Sequence, residues 1–361
     1  MKTVLKVLII LIPTLLIITL CEEEAERKLI IPDSNFLAAL IELGIDANGD
    51  GSISDLEAES VTFLDISSDS ITDMTGIEAF ANLDTLVCCA NQLTSLDISN
   101  NTSLIYLSCG FNELTALDVT NNTSLKALSC CRNLLTTLNV SNNKVLTYLN
   151  SYGNDLSTLD VSNNHDITHL YCHLNQITTL DVSNNIALLE LYCAYNQLAN
   201  LNVTKNTALT KLGCQGNPLA TLDLSHNTAL ESLTCLGSQI SELDLSSNTA
   251  LRSMACQGNK LTTLNVSNNK ALEGLDCGDN EITTLNVTNN TSLKALYCYS
   301  NQLTALDVSK NTSLEELDLR FMHSLYQVCV WELPFPPVGI EVDTTDSPNI
   351  YFTMDCINDL P

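Results

Sequence analysis

Apolar and polar positions recur along most of this chain with a period of 21 residues. One column reads Cys88, Cys109, Cys130, Ser151, Cys172, Cys193, Cys214, Cys235, Cys256, Cys277 and Cys298, eleven rungs without insertion or deletion. Three places further on stand Asn91, Asn112, Asn133, Asn154, Asn175, Asn196, Asn217, Ser238, Asn259, Asn280 and Asn301. A representative rung, Leu191-Tyr192-Cys193-Ala194-Tyr195-Asn196-Gln197-Leu198, has the alternation of a short strand. Leu191 and Cys193 point inward and Tyr192 outward. The asparagine suits the turn that follows, where its amide can satisfy backbone groups inside the coil. The second half of each repeat, such as Leu180-Asp181-Val182-Ser183-Asn184-Asn185, predicts another extended segment and turn. Two strands and two turns leave no room for a long helix, so extended structure is expected on both sides of the coil. Leu96, Leu117, Leu138 and Leu159 form one of several stacked leucine ladders. No rung buries its apolar face alone, so stability comes from stacking. At about 4.8 Å per strand the eleven rungs span about 50 Å.

The rung pattern L-x-L-x-x-N-x-L, with Cys in the second Leu slot, resembles the leucine-rich repeat over roughly residues 61 to 328. That resemblance implies an α/β-class, mostly β, right-handed solenoid with a parallel sheet on its concave side. Ile71-Thr72-Asp73-Met74-Thr75-Gly76-Ile77 is similar to the opening repeats of internalin-type proteins. Ile31-Pro32-Asp33-Ser34-Asn35-Phe36 resembles the N-terminal caps of Bacteroidetes repeat proteins. Leu64-Asp65-Ile66-Ser67 is an offset first rung, with Ile66 lying 22 residues before Cys88. At the other end the pattern fails after Leu319, where Met322 takes the Asn slot. Phe321, Tyr326, Trp331, Phe335, Tyr351 and Phe352 are then expected to plug the open core, and Pro334-Phe335-Pro336-Pro337 to break any further regular coil. The expected organisation is a leader (1–21), a short helical cap (22–60), the solenoid (61–319) and an irregular β cap (320–361).

The first cap carries the sharpest chemical motif. Residues 46–57 match the EF-hand loop D-x-[DN]-x-[DN]-G-x5-E at every specified position. Asp46, Asn48 and Asp50 offer side-chain oxygens and Ser52 its backbone carbonyl. Ser54 acts directly or through water, and Glu57 with both oxygens, while Gly51 makes the sharp turn. Hard oxygen donors at this spacing favour Ca2+, held as a structural staple of the cap; the alternative is an acidic turn that binds nothing. Phe36 to Leu43 supply the entering helix, and Asp55 to Glu59 start the leaving one.

Composition then narrows partners and compartment. Lys plus Arg total 15 against 42 Asp plus Glu, a net charge of -27 that repels nucleic acid and anionic lipid. Lys2 and Lys6 precede an apolar run of 14 residues, Val7 to Leu20, and then Cys21-Glu22-Glu23-Glu24. The run is short for a bilayer span. It resembles a bacterial lipoprotein signal with Cys21 as the lipidated residue, and the acidic run resembles a surface-export signal; the alternatives are an ordinary cleaved signal or a retained anchor. The expected location is the outer membrane or cell surface, with secretion as the alternative. Fifteen cysteines in an exported chain suggest disulfides, but the ladder cysteines fill a buried Leu slot as small hydrophobes. Cys329 and Cys356 bracket the last cap outside the ladder and are the expected disulfide. Cys89 and Cys131 occupy outward slots two rungs apart, about 9.6 Å, too far to bridge directly.

Outward slots near the middle of the array hold His169, Tyr171 and His173 on one rung, flanked by Tyr148, Tyr152, Tyr192 and Tyr195. Aromatics on a rigid sheet are plausible anchors for a protein or glycan; the alternative is incidental surface variation. The acidic row that includes Asp97, Asp118, Asp160 and Asp181 reads as a solvated face rather than a set of cation sites. No G-x-S-x-G, H-E-x-x-H or phosphate loop is present, and the five His form no triad. The expectation is therefore a non-catalytic, monomeric binding or adhesion protein; the alternative is a structural surface-layer or scaffold protein without a specific ligand.

Overall fold

The computed structural model describes residues 27–356, so the leader and Cys21 lie outside the described residues. The described chain is a mostly β parallel solenoid. It enters through two helices, α1 (Ser34–Glu42) and α2 (Asp55–Glu59), placed where the entering and leaving helices are expected. Fourteen three-residue strands then stack in parallel, from Phe63–Asp65 to Glu341–Asp343. The register is constant: Leu149 faces Leu170, which faces Leu191, each a full repeat along the chain. Only the ends deviate, Phe63 pairing with Thr85 and Glu316 with Glu341.

Each rung is held by what it buries. Leu170, Cys172, Leu191 and Cys193 are fully covered, as are Leu212 to within 1% and Cys214. A fully buried Leu contributes roughly 1.5–3 kcal/mol, repeated at every rung. Among the described residues twelve cysteines are free, the ten in the ladder fully buried. Burial pushes the Cys130, Cys172, Cys235 and Cys277 thiols up to about 12, so they remain protonated and act as packing groups.

Two asparagine columns close the coils. Asn112 donates through Nδ2 to the carbonyls of Cys88 and Cys109, and its Oδ1 accepts from Leu93 N–H. One residue thereby ties two neighbouring rungs together. The second column, Asn101 through Asn311, is equally buried; Asn122 donates to Ile98 and Asn101 carbonyls at 3.0 and 2.9 Å. Met322 fills the asparagine slot in the last rung, where its sulfur receives Asn301 N–H and Ser347 takes over Leu319 carbonyl.

The far side of the coil departs from expectation. It forms a sheet only at the C-terminal end, from Ala305–Asp307, Gln327–Cys329 and Tyr351–Thr353. Elsewhere the segments run alongside one another with isolated bridges. A single backbone bond per rung, such as Gln197 N–H to Ile177 carbonyl, stays short, whereas the next one along reaches 3.4 Å between Thr178 and Ser157. Turns on that side close on side chains instead: Ser183 N–H is held by Asp181 Oδ1 at 2.9 Å. The same turn recurs at Asp97, Asp118 and Asp160, which explains the acidic row as turn formers.

The C-terminal plug is also smaller than expected. Trp331, Phe335 and Phe352 pack against the core, with ring centroids 5.3 and 4.9 Å apart. Phe321, Tyr326 and Tyr351 are exposed, because Met322, Leu325, Val328 and Val330 already fill the core. The long sheet moreover continues past Leu319 to Asp343. Cys329 and Cys356 are bonded, with Cα atoms 5.5 Å apart. Among the described residues no helix is long and apolar enough to cross a membrane.

Candidate functional site

The outer face of the long sheet brings the mid-array aromatics into two groups. In the first, Tyr148 lies 6.3 Å from His169 and 5.5 Å from Tyr171, and Tyr171 stacks on Tyr192 at 5.4 Å. The constant register puts these rings on adjacent rungs, one strand spacing apart. In the second, Tyr152 and His173 stack at 4.6 Å with parallel planes. All six are half-buried, a state set by ring against ring. Tyr195 joins neither group. It sits in left-handed backbone (φ 52°), and its ring lies over Gly216, where a Cβ would come within 2.6 Å. Gly213 gives Tyr192 the same room. The glycines thus let both rings lie flat toward the next rung.

Charged partners escaped the residue-type reading. Tyr171 hydroxyl donates to Glu190 at 2.6 Å, and Lys211 pairs with the same carboxylate at 2.9 Å. Burial works against the Glu190 charge, but bonds from Tyr171 and Lys211 hold its carboxyl below the usual range. Burial, and then the Glu190 bond, push the Tyr171 phenol up, so it stays a donor. The Arg132 guanidinium stands 5.5 Å from the Tyr152 ring and 6.0 Å from that of Phe111, which is half exposed. Burial, then Arg132, keeps His173 neutral by lowering its pKa. The 21-residue register carried this signal, since Glu190 and Lys211 follow His169 in one column.

The acidic loop forms a compact turn closed on itself. Asp46 Oδ1 accepts from Gly49 and Asp50 N–H, and its Oδ2 from Gly51 N–H. Asn48 Oδ1 holds Asp50 N–H, and Asp50 Oδ1 receives Ser52. Glu57 uses both oxygens: Oε1 accepts from Ala47 N–H, and Oε2 from Ser54 N–H and hydroxyl in a capping box that starts α2. Bonds from Ser54 lower its pKa despite the opposing cost of burial. Lys28 pairs with Asp50 at 2.8 Å. Among the described residues, Asp46, Asp50 and Glu57 do not form a group with ligand atoms all within 4.8 Å.

Asp33 sews this cap to the array. It accepts N–H groups of Asn35 and Phe36 at the start of α1, and with its other oxygen those of Thr72 and Asp73. Burial opposes its charge, but the Thr72 hydroxyl, which donates to the same carboxylate, and these N–H bonds lower its pKa to about 2.

No family model matches the chain. It is 37% identical to the functional domain of InlJ from Listeria monocytogenes, a structure that itself includes a cysteine ladder; the match covers 88% of this chain and 70% of that one, with a TM-score of 0.82. The internalin InlF of the same species matches at 22% identity over 87% of this chain and 95% of its own, with a TM-score of 0.79, a likeness of fold. A 71-residue segment is 40% identical to internalin J of Listeria monocytogenes, 20% of this chain and only 8% of that protein.

Proposed function

The chain belongs to the internalin-like leucine-rich-repeat proteins, and from that premise we propose that it is a non-catalytic binding protein of the bacterial surface. Its ligand, a protein or a glycan, engages the outer face of the long sheet at Tyr148, His169, Tyr171 and Tyr192, with Tyr152, His173 and Tyr195 beside them. The observation that carries this reading is the first ring cluster, with contacts of 5.4–6.4 Å on a backbone of fixed register. Such rings lose little freedom on binding, and Glu190 and Lys211 add directional polar groups at their edge. Attachment at the cell surface through lipidated Cys21 completes the proposal.

The donors of the 46–57 loop fit Ca2+ in kind: three carboxylates, one carboxamide, a serine carbonyl and a serine hydroxyl. Asp46, Asn48, Asp50, Ser52, Ser54 and Glu57 would hold the ion, which would supply charge neutralisation and stiffen the cap. Glu57 and Asp50 also hold the turn through N–H groups and Lys28.

The test is binding of the full chain to an array of glycans and surface proteins, with and without Ca2+, beside a Tyr171→Ala, Tyr192→Ala double variant. Loss in the variant with circular dichroism unchanged supports the aromatic site. Equal binding by both proteins overturns it, and absence of any binding favours a structural surface-layer role.

A further inference from the structure

Among the described residues two free cysteines, Cys89 and Cys131, stand in outward slots, and their sulfurs lean onto the same rung from opposite sides. Cys89 Sγ lies 2.9 Å from Ser108 Oγ, one rung along. Cys131 Sγ lies above Gly110, on that same middle rung, so close that a Cβ there would stand 2.7 Å away. Ser129 hydroxyl donates to Cys131 Sγ at 3.7 Å from beneath. Cys89 is partly exposed, whereas Cys131 is 6% exposed.

Both sulfurs therefore lean onto the middle rung, Cys131 over Gly110 and Cys89 against Ser108. The Cα atoms, two rungs apart, stand about 9.6 Å from each other. That exceeds the roughly 7 Å limit for a disulfide. A metal ion between two thiolates, at about 2.3 Å from each, spans about 4.6 Å from sulfur to sulfur. A bridging ion therefore joins cysteines whose Cα atoms stand farther apart than a disulfide allows. Among the described residues, neither sulfur belongs to a group of three His, Cys, Asp or Glu ligand atoms. Two soft donors without a third favour an ion content with low coordination over tetrahedral Zn2+.

We propose that Cys89 and Cys131 form a surface site for a single Cu+ ion, seated over Gly110 with the Ser108 and Ser129 hydroxyls beside the sulfurs. Binding replaces the proton of each thiol, so two protons leave as two sulfur–copper bonds form. No electron is transferred, because the ion enters as Cu+. The site is separate from the aromatic cluster and does not depend on the binding role proposed for it.

The experiment titrates the reduced full chain anaerobically with Cu+ buffered by a chromophoric chelator. Wild type is expected to withdraw a single Cu+ that Cys89→Ser and Cys131→Ser each lose; the comparison cancels uptake by Cys21 or the buried ladder. Gly110→Ala keeps both thiols but displaces the Cys131 sulfur, and is expected to lose the same ion. A measurement on wild type alone covers the case of a variant that fails to fold: Cu+ should protect Cys89 and Cys131 together from alkylation, mapped by mass spectrometry. Equal copper uptake by all four proteins, protection of neither cysteine, or a preference for Zn2+ over Cu+ overturns the proposal.

Discussion

Rungs 148–195 and rungs 211–276 share one backbone and differ almost wholly on the outside. Inward, both present Leu and Cys, as in Leu191 and Cys193 or Leu233 and Cys235, all fully buried. Outward, the first stretch carries Tyr148, His169, Tyr171 and Tyr192, and the second Ser232, Thr234, Ser253, Ala255 and Gly274. Strand pairing continues through both without a break in register. Fold and recognition are thus written in different columns: packing dictates the inward one, while the outward one is held only by contacts between neighbouring rungs, such as Tyr192 over Gly213.

This separation can be broken most forcefully from inside. Leu191→Ala and Leu233→Ala each remove a fully buried side chain and should each destabilise by about 2–5 kcal/mol in urea denaturation. A much larger cost in the aromatic stretch would mean that its outer residues also hold the fold. Next come the asparagines. Asn164→Ala strips donors from Val140 and Asn143 carbonyls, and Asn248→Ala from Leu224 and Asn227. Each should cost about 1–3 kcal/mol, alike in both stretches.

A smaller effect tests the cap against the interior. Asp33→Ala should cost about 1 kcal/mol as a lost helix cap. The Asp33 pKa is lowered from 3.8 in the unfolded chain to about 2 in the folded one. Its contribution is therefore complete above pH 3.8 and disappears as pH falls through about 2. Denaturation followed down this range should show wild type converging on Asp33→Ala; a constant gap would sink the assignment. Smallest of all, Glu190→Ala breaks the contacts to Tyr171 and Lys211 on the surface and should leave the unfolding midpoint nearly unmoved while weakening ligand capture. A marked fall in the midpoint would place Glu190 among the structural residues.

The parallel strands, the buried cysteine column and the first asparagine column were legible because the repeat sets their spacing and the side-chain period sets their direction. Leu170 and Cys172 sit as alternation requires, and Asn175 sits in the turn that follows. The far side was less legible. Leu180-Asp181-Val182 reads as a strand, yet Asp181 turns its oxygen onto Ser183 N–H, a competition between side chain and backbone that hydrophobic alternation does not register. The C-terminal aromatics misled for a related reason. Composition counts rings, whereas only packing assigns Phe352 to the core and leaves Tyr351 outside. On the outer face, residue type pointed to Tyr171 and His173, but the Glu190–Lys211 pair and Arg132 above Tyr152 emerge only when columns are read across rungs.

The unbroken register has a genetic consequence. Wherever two neighbouring coils are encoded by similar stretches of DNA, recombination between them removes or adds a whole coil in frame. Because Leu149, Leu170 and Leu191 meet their counterparts at identical offsets, the chain closes again with every column aligned, shorter or longer by about 4.8 Å. An exchange outside rungs 148–195 leaves the caps and the aromatic rungs intact and changes how far those rungs stand from one end. The gene can therefore vary the reach of its product in fixed steps without relearning how to fold.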